Sequence, residues 1–171
     1  TDKIPPQNIE AEESVLGSLL IDKDAIIKVV DFLHEDDFYK ESHGLIFETM
    51  KDLYSHSEPI DIISLSNNLD EKGKIDSIGG KSYLTKLSNT VTTASNVGHY
   101  GKIIQKKAIL RKLLNAAGEI GEMGFQEEEE IDALLNEAEK TLFSVSQNFH
   151  KNAFEPISNM LNSAFDRIDD L

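Results

Sequence analysis

Four consecutive residues, Gly79-Gly80-Lys81-Ser82, have the composition that ends a phosphate-binding loop of the type G-x-x-x-x-G-K-[ST]. In such a loop, backbone N–H groups cradle the phosphates and the lysine contacts the terminal ones. Counting back from Gly80, the first glycine of the motif falls on Ile75, and the polar stretch Asp70-Glu71-Lys72 stands where a buried strand should precede the loop. The spacing therefore predicts a glycine break before a helix and no nucleotide site.

The other reactive residue types show no catalytic or metal-ligand spacing. His34-Glu35 begins like a zinc protease motif, but Phe38 stands where the second histidine should be. The chain has no cysteine, and the run Glu127–Glu130 is typical of a solvated helix start, where the dipole favours negative charge. No H-x-x-x-H pair occurs among the five histidines, which are His34, His43, His56, His99 and His150. We therefore predict no catalytic, metal or cofactor-binding residue in this chain.

Composition restricts the possible partners. The 171 residues suit one domain with an appendage, and the net charge of −14 argues against a broad grip on a phosphate backbone. The absence of tryptophan and the low aromatic content also disfavour base stacking. Lys102–Lys112 is the one basic candidate, and we interpret it as a helix face that pairs with an acidic arm. Without a signal-like segment or a membrane-length apolar run, a cytoplasmic location is expected.

The elements that must position any site are helical. The stretch Asn96–Met123 repeats apolar residues at helical spacing, and a second such stretch begins at about Glu128. Glycines separate the two stretches. The first stretch is basic and the second is acidic, so we expect the two to form an antiparallel helical hairpin. The apolar face of the first stretch is wider than one stripe, so it should also pack on the preceding residues or on another copy of the chain. We expect an oligomer interface, with some of its residues serving the seam between the two helices instead, through Leu110, Leu113, Ala117, Leu134, Leu135, Ala138 and Leu142.

The rest of the chain also reads as helices. Expected segments are a helix capped by Asn8, one over residues 22–33, one over 41–54, Ile62–Lys72 capped by Asp61, and a short helix through Tyr83, Leu84 and Leu87. Residues 150–155 should form a short linker, and Pro156 suits the start of a final amphipathic helix that looks like a connector to a longer protein. The fold class predicted is all-α. Its domains are a helical domain over 1–149, with a compact part over about 1–93 and a protruding hairpin over about 94–149, then a linker and linker helix over 150–171.

A set of short segments along the whole chain is informative when the segments are taken together, although no single one would be specific. They are Pro5 to Glu12, Val15-Leu16-Gly17, Phe38-Tyr39, His43, Ile46-Phe47, Pro59-Ile60-Asp61, Gly79-Gly80, Tyr83-Leu84, Thr93-Ala94, Asn96, Tyr100, Leu110-Arg111 and Glu137-Ala138-Glu139. In this order they resemble the amino-terminal domain of the bacterial replicative DNA helicase of the DnaB family, over essentially the whole chain. Two departures occur, because the family usually has Pro where Thr92 stands and Ala where Gly101 stands.

The resemblance implies a non-catalytic assembly and docking module. In such helicases the ATP and Mg²⁺ belong to a carboxy-terminal motor domain, which these residues do not include. The amino-terminal domains pair through their hairpins, close a collar on the hexameric ring as a trimer of dimers, and bind primase. A helicase loader is a further partner, and the helix over residues 156–171 docks on a neighbouring motor domain. Primase contacts carry over onto Glu10, Tyr83, Leu114 and Ile120. Little or no direct DNA binding is expected.

Two other function classes stay open at this stage. An unrelated all-α regulatory or adaptor domain would also have a dimerising hairpin, and an enzyme with a dispersed active site would show no motif. A phosphate-binding loop beyond Leu171 would separate the helicase from both.

Overall fold

The computed structural model describes the backbone of residues 3–169, and the side chains of all of these except residues 148, 150–165 and 169. The described part has no strand, so the all-α prediction is confirmed. Three short 3₁₀ helices lie at Ala25–Lys28, Glu35–Asp37 and Asp76–Ile78. The α-helices are α1 (Ile9–Ile21), α2 (Glu41–Ser55), α3 (Ile62–Glu71), α4 (Gly80–Thr90), α5 (Val97–Met123) and α6 (Ile131–Asp169). The chain divides into two compact units, Thr1–Leu110 and Arg111–Leu171.

Two helices begin at the caps that the sequence predicts. The Ala11 N–H donates to Asn8 Oδ1 at 2.9 Å, and the Ser64 N–H donates to Asp61 Oδ1 at 2.7 Å. Each bond satisfies one of the N–H groups that a helix start leaves unpaired, and each stabilises its helix by about 1 kcal/mol. The break before α4 is also confirmed, because Gly79 and Gly80 both adopt positive φ angles, +98° and +74°.

The core of the first unit lies between α1, α2, α3 and α4. Helix α1 packs against α4 and α2, α2 packs against α3, and α3 packs against α4. The apolar residues of α1 at helical spacing are Ala11, Val15, Leu16, Leu19 and Leu20, and all of them are buried except Leu20, which is half-buried. Gly17 lies at a close approach of α1 to α4: a Cβ at this position would lie 2.4 Å from the Leu87 carbonyl oxygen. The fully buried large side chains are Phe47, Leu16, Leu19, Ile26, Leu33, Ile46, Met50, Leu53, Leu65, Leu69, Leu84 and Leu87.

The prediction of a helix over residues 22–33 is wrong. Only Ala25–Lys28 forms a 3₁₀ helix, and turns follow it up to Leu33. The Asp22 carboxylate accepts the Asp24 N–H at 2.9 Å, which offers the backbone an alternative to the helix. β-Branched residues crowd this stretch and lower its helix propensity further. Ile26 and Leu33 are buried, whereas Ile27 is exposed and Val30 is half-buried.

Gly101, one of the two departures from the family pattern, lies where other side chains approach the backbone of α5 closely. A Cβ here would lie 3.0 Å from Phe32 Cζ and 3.0 Å from Val29 Cγ1. The Lys102 Nζ lies over the same Phe32 ring, 3.8 Å from its centroid. The glycine therefore makes room for the Phe32 ring, and α5 still begins at Val97.

The second unit contains the end of α5, a connection over residues 124–130 and α6. The burial of its apolar side chains is periodic: Ala116 is buried, and the half-buried ones follow at helical intervals of three, four or seven residues within each helix, at Ile120, Met123, Leu134, Ala138 and Val145. This spacing is that of one face on each helix.

Helix α6 is continuous through the region where a linker was expected. The backbone is helical from Ile131 to Asp169, so the prediction of a linker over residues 150–155 is wrong. No glycine follows Gly124 to end the helix, and polar residues without periodicity do not by themselves stop one. The predicted docking of residues 156–171 concerns side chains that mostly lie outside the described residues.

Candidate functional site

Three polar side chains from three helices meet inside the first unit. Glu12 comes from α1, His43 from α2 and Tyr83 from α4, and the first two are 1% and 0% exposed. Helical spacing explains the burial: Glu12 shares a face with Leu16 and Leu19. His43 likewise shares a face with Ile46 and Phe47. Buried polar groups persist only when they are hydrogen-bonded, so their partners define the site.

The Glu12 carboxylate is saturated by donors at the start of α2. It accepts the Tyr39 N–H at 2.7 Å, the Lys40 N–H at 3.3 Å and the His43 Nδ1–H at 2.8 Å. The Lys40 side chain makes no capping bond of its own, so the N-terminus of α2 is capped by a carboxylate from another helix. Negative charge is favoured there by the helix dipole as well as by the unpaired N–H groups.

The chain of hydrogen bonds continues to Tyr83. Because His43 Nδ1 donates to Glu12, the neutral ring has Nε2 free to accept the Tyr83 O–H, at 2.5 Å. The two rings are nearly parallel, with an interplanar angle of 13° and centroids 5.9 Å apart. The Lys40 and Lys86 ammonium groups lie 5.6 and 5.8 Å from the Tyr83 centroid. The hydroxyl end of Tyr83 is thus fixed inward while its ring is half-exposed.

Burial raises the pKa of Tyr83 to about 12, and the carboxylates of Glu13 and Glu12 add to the shift. The order carboxylate, imidazole, hydroxyl is that of an activated nucleophile, but a phenol with a raised pKa is a poor nucleophile at neutral pH. Among the described residues, no group of three or more His, Cys, Asp or Glu side chains could hold a metal ion. The arrangement is suited to holding an aromatic side chain in place.

We expect Tyr83 to ionise only at high pH. Folding favours the protonated phenol, so its contribution to stability is complete below the ordinary pKa of 10.0 and is lost as the pH rises from there to about 12. A spectrophotometric titration of tyrosinate, taken as the difference between the parent chain and Tyr83→Phe, should have its midpoint near pH 12. A midpoint near the ordinary value would show that Tyr83 is neither buried nor close to the two carboxylates.

The four residues that the family resemblance implies as primase contacts are divided between the two units. Glu10 is exposed on α1, and Tyr83 is half-buried on α4, which packs against α1. Leu114 is exposed and Ile120 is half-buried, both on the part of α5 that belongs to the second unit. The expected oligomer residues also differ in exposure. Leu113, Ala117, Leu135 and Leu142 are exposed, and the half-buried ones are Leu110, Leu134 and Ala138.

Glu12 and His43 were not predicted as functional residues, although the sequence does contain a signal for them. Both lie in register with apolar positions that face the core, and a polar side chain at such a position needs a polar partner. Sequence spacing alone does not identify that partner, because Glu12 and His43 are 31 residues apart and His43 and Tyr83 are 40 apart.

Sequence comparisons agree on one family. The family model for the DnaB-like helicase N-terminal domain matches residues 4–106. The chain is 39% identical over 170 residues to the replicative DNA helicase DnaC of Bacillus subtilis, and 38% identical over 169 residues to the replicative DNA helicase DnaB of Geobacillus stearothermophilus. Each alignment covers 99% of this chain, which spans 37% of the length of either relative.

Structural comparisons agree. The crystal structure of the N-terminal domain of DnaB helicase from Mycobacterium tuberculosis superimposes with a TM-score of 0.79 and 37% identity. That match covers 83% of this chain and 99% of the other. A DnaB-like replicative helicase, determined with its interactions with primase, shares the fold with a TM-score of 0.68 and 24% identity, over 96% of this chain and 35% of that one. The matched domain is itself non-catalytic. The chain belongs to the family of DnaB-like helicase N-terminal domains.

Proposed function

We propose that this domain is the assembly and partner-docking part of a replicative DNA helicase. It pairs with a second copy, contributes to the collar of a hexameric ring as a trimer of dimers, and binds primase. Family membership supports the helicase context, since the relatives are named replicative DNA helicases. ATP and Mg²⁺ would be bound by the motor of the helicase and not by this domain.

One observation carries the assembly proposal: α6 has a line of five apolar side chains at heptad spacing, of which three are exposed and two are half-buried. Ile131, Leu135, Ala138, Leu142 and Val145 follow one another at intervals of four, three, four and three residues. That alternation is the pattern of a helix that pairs with another helix. Leu135 and Leu142 are 55% and 53% exposed, and Ile131 is 65% exposed. Burying this line against a second copy would remove apolar surface from water, at about 25 cal/mol for each Å².

We expect the parent chain to be a dimer and Leu135→Asp to be a monomer. An aspartate at an exposed position leaves the single chain folded, but in the dimer it would be buried without a partner, which costs several kcal/mol. Analytical ultracentrifugation measures the mass directly. Asn136→Asp is the matched control, because it adds the same charge one residue away and should stay dimeric. A monomeric parent at high concentration would show that the α6 line is not a sufficient interface.

The primase proposal is centred on Tyr83. The Tyr83 ring is half-exposed and its hydroxyl is hydrogen-bonded to His43. Tyrosine is one of the residue types that dominate binding energy in interfaces. Glu10, Leu114 and Ile120 are the other contacts that we propose. The related helicase of known structure was determined with its interactions with primase, which agrees with a docking role for the fold.

The remaining partners follow from the helicase context. We propose a helicase loader as a further partner and a neighbouring motor domain as the site that receives residues 156–171. The cell compartment would be the bacterial cytoplasm, where replication occurs. Within the described residues, no helix is both long and apolar enough to cross a membrane.

A further inference from the structure

We propose that Glu12 and His43 are positioning residues for partner docking: together they hold the Tyr83 ring in the orientation that primase contacts. This inference rests on the proposed function, because it assumes that primase contacts Tyr83. It goes further by assigning a role in binding to two buried residues that no partner can touch.

The first step is the rigidity of the support. Glu12 accepts three hydrogen bonds from the start of α2, two of them from main-chain N–H groups, so its carboxylate cannot turn without breaking a helix cap. His43 is therefore fixed at Nδ1, and its Nε2 faces the Tyr83 hydroxyl at 2.5 Å. The tyrosine is held at its far end by groups from two other helices.

The second step concerns the part of Tyr83 that stays accessible to a partner. The hydroxyl of Tyr83 is satisfied inward, so the half-exposed part of the side chain offers mainly its apolar ring. Lys40, the residue before α2, and Lys86 on α4 lie near the ring. In the described part of the chain, neither of their ammonium groups forms an ion pair. Tyr83 is thus an ordered side chain before any partner arrives.

The third step is the size of the effect. A side chain that must be immobilised on binding weakens an interface, and a side chain that is already ordered does not. The usual cost of immobilising one side chain corresponds to about 2- to 12-fold in affinity. Tyr83→Phe keeps the ring and removes the hydrogen bond to His43, so it should weaken primase binding by about that factor.

Titration calorimetry with the helicase-binding domain of primase tests this. We expect Tyr83→Ala to weaken binding by about 30-fold or more, as at an interface hot spot, and Tyr83→Phe to weaken it by the smaller factor. Tyr54→Phe is the matched control: it makes the same change at another exposed tyrosine and should bind like the parent. Thermal melts of all variants identify the temperature range in which each is folded, and binding is compared within it.

A double-mutant cycle adds a measurement that a purely structural role would not affect. His43→Gln retains a donor and an acceptor but not the ring geometry, so it should weaken binding in the chain that carries Tyr83. In the Tyr83→Phe background the same substitution should have no further effect on binding, because the hydrogen bond through which His43 acts on Tyr83 is already gone.

The outcomes separate the two proposals. The positioning role is refuted if Tyr83→Ala abolishes primase binding while Tyr83→Phe binds like the parent. It is also refuted if the losses of affinity caused by the His43 and Tyr83 substitutions simply add. In both cases primase docking at Tyr83 stands. If Tyr83→Ala binds like the parent, then the docking site itself is wrong and the positioning role falls with it.

Discussion

Replacing Glu12 with alanine should lower the free energy of unfolding by about 3 kcal/mol or more, because up to three donors would lose their acceptor at a cost of about 1–3 kcal/mol each. The substitution would strip the Tyr39 N–H, the Lys40 N–H and His43 Nδ1 of their common acceptor. It would also remove the cap from the start of α2. Urea denaturation followed by circular dichroism measures the change.

Two further substitutions separate this network from general effects on α1. Glu12→Gln keeps an acceptor but loses the charge, and should cost about 1–3 kcal/mol. Glu10→Gln, at an exposed position one half-turn earlier on the same helix, should cost only a few tenths of a kcal/mol through the helix dipole. A loss below about 1 kcal/mol for Glu12→Ala would contradict the view that Glu12 supports three donors.

Gly17→Ala should destabilise the domain by about 3 kcal/mol, at the upper end of the range for overpacking a core. The added Cβ would lie 2.4 Å from the Leu87 carbonyl oxygen and 3.1 Å from Val91 Cγ2. Because the first of these atoms is backbone, α1 and α4 would have to move apart rather than adjust a side chain. Thermal and urea unfolding should both show the loss.

Gly98→Ala is the matched control for this prediction. It makes the same substitution in a helix of the same unit, where a Cβ would meet no heavy atom within 4 Å. Alanine is the better helix former, so the variant should gain up to about 1 kcal/mol. Opposite signs for the two substitutions would confirm that contact with α4, and not helix propensity, decides the effect at Gly17. Equal effects at the two positions would refute it.

Where local chemistry decides the structure, the sequence was sufficient to predict it. The caps at Asn8 and Asp61 depend on atoms three residues away in the chain, and both were predicted. Helix α2 was expected over residues 41–54 and is found at Glu41–Ser55, while α3 was expected over Ile62–Lys72 and ends one residue earlier. Strong apolar periodicity with a nearby start or stop signal was enough in each case.

Where competing interactions decide, the sequence was misleading. Apolar spacing over residues 22–33 resembles a helix, but the Asx bond at Asp22 and the β-branched residues prevent one from forming there. A linker was predicted over residues 150–155 because His150-Lys151-Asn152 is polar and without periodicity, although no glycine ends α6 there.

The candidate site depends on contacts between helices. Tyr83 was identified by family resemblance, and the burial of Glu12 and His43 follows from their register on α1 and α2. Which buried polar group pairs with which is a property of the packed core, and one sequence does not contain it.

The most direct test of primase docking at Tyr83 is an NMR titration of the isotope-labelled chain with the helicase-binding domain of primase. We expect saturable shifts of the amide resonances on α4 around Tyr83 and at Glu10 on α1, with the amides around the exposed Ile63 on α3 unchanged. Binding whose shifts leave Tyr83 and Glu10 untouched would contradict the proposed docking site, and the absence of any shift at saturating primase would contradict primase docking by this domain.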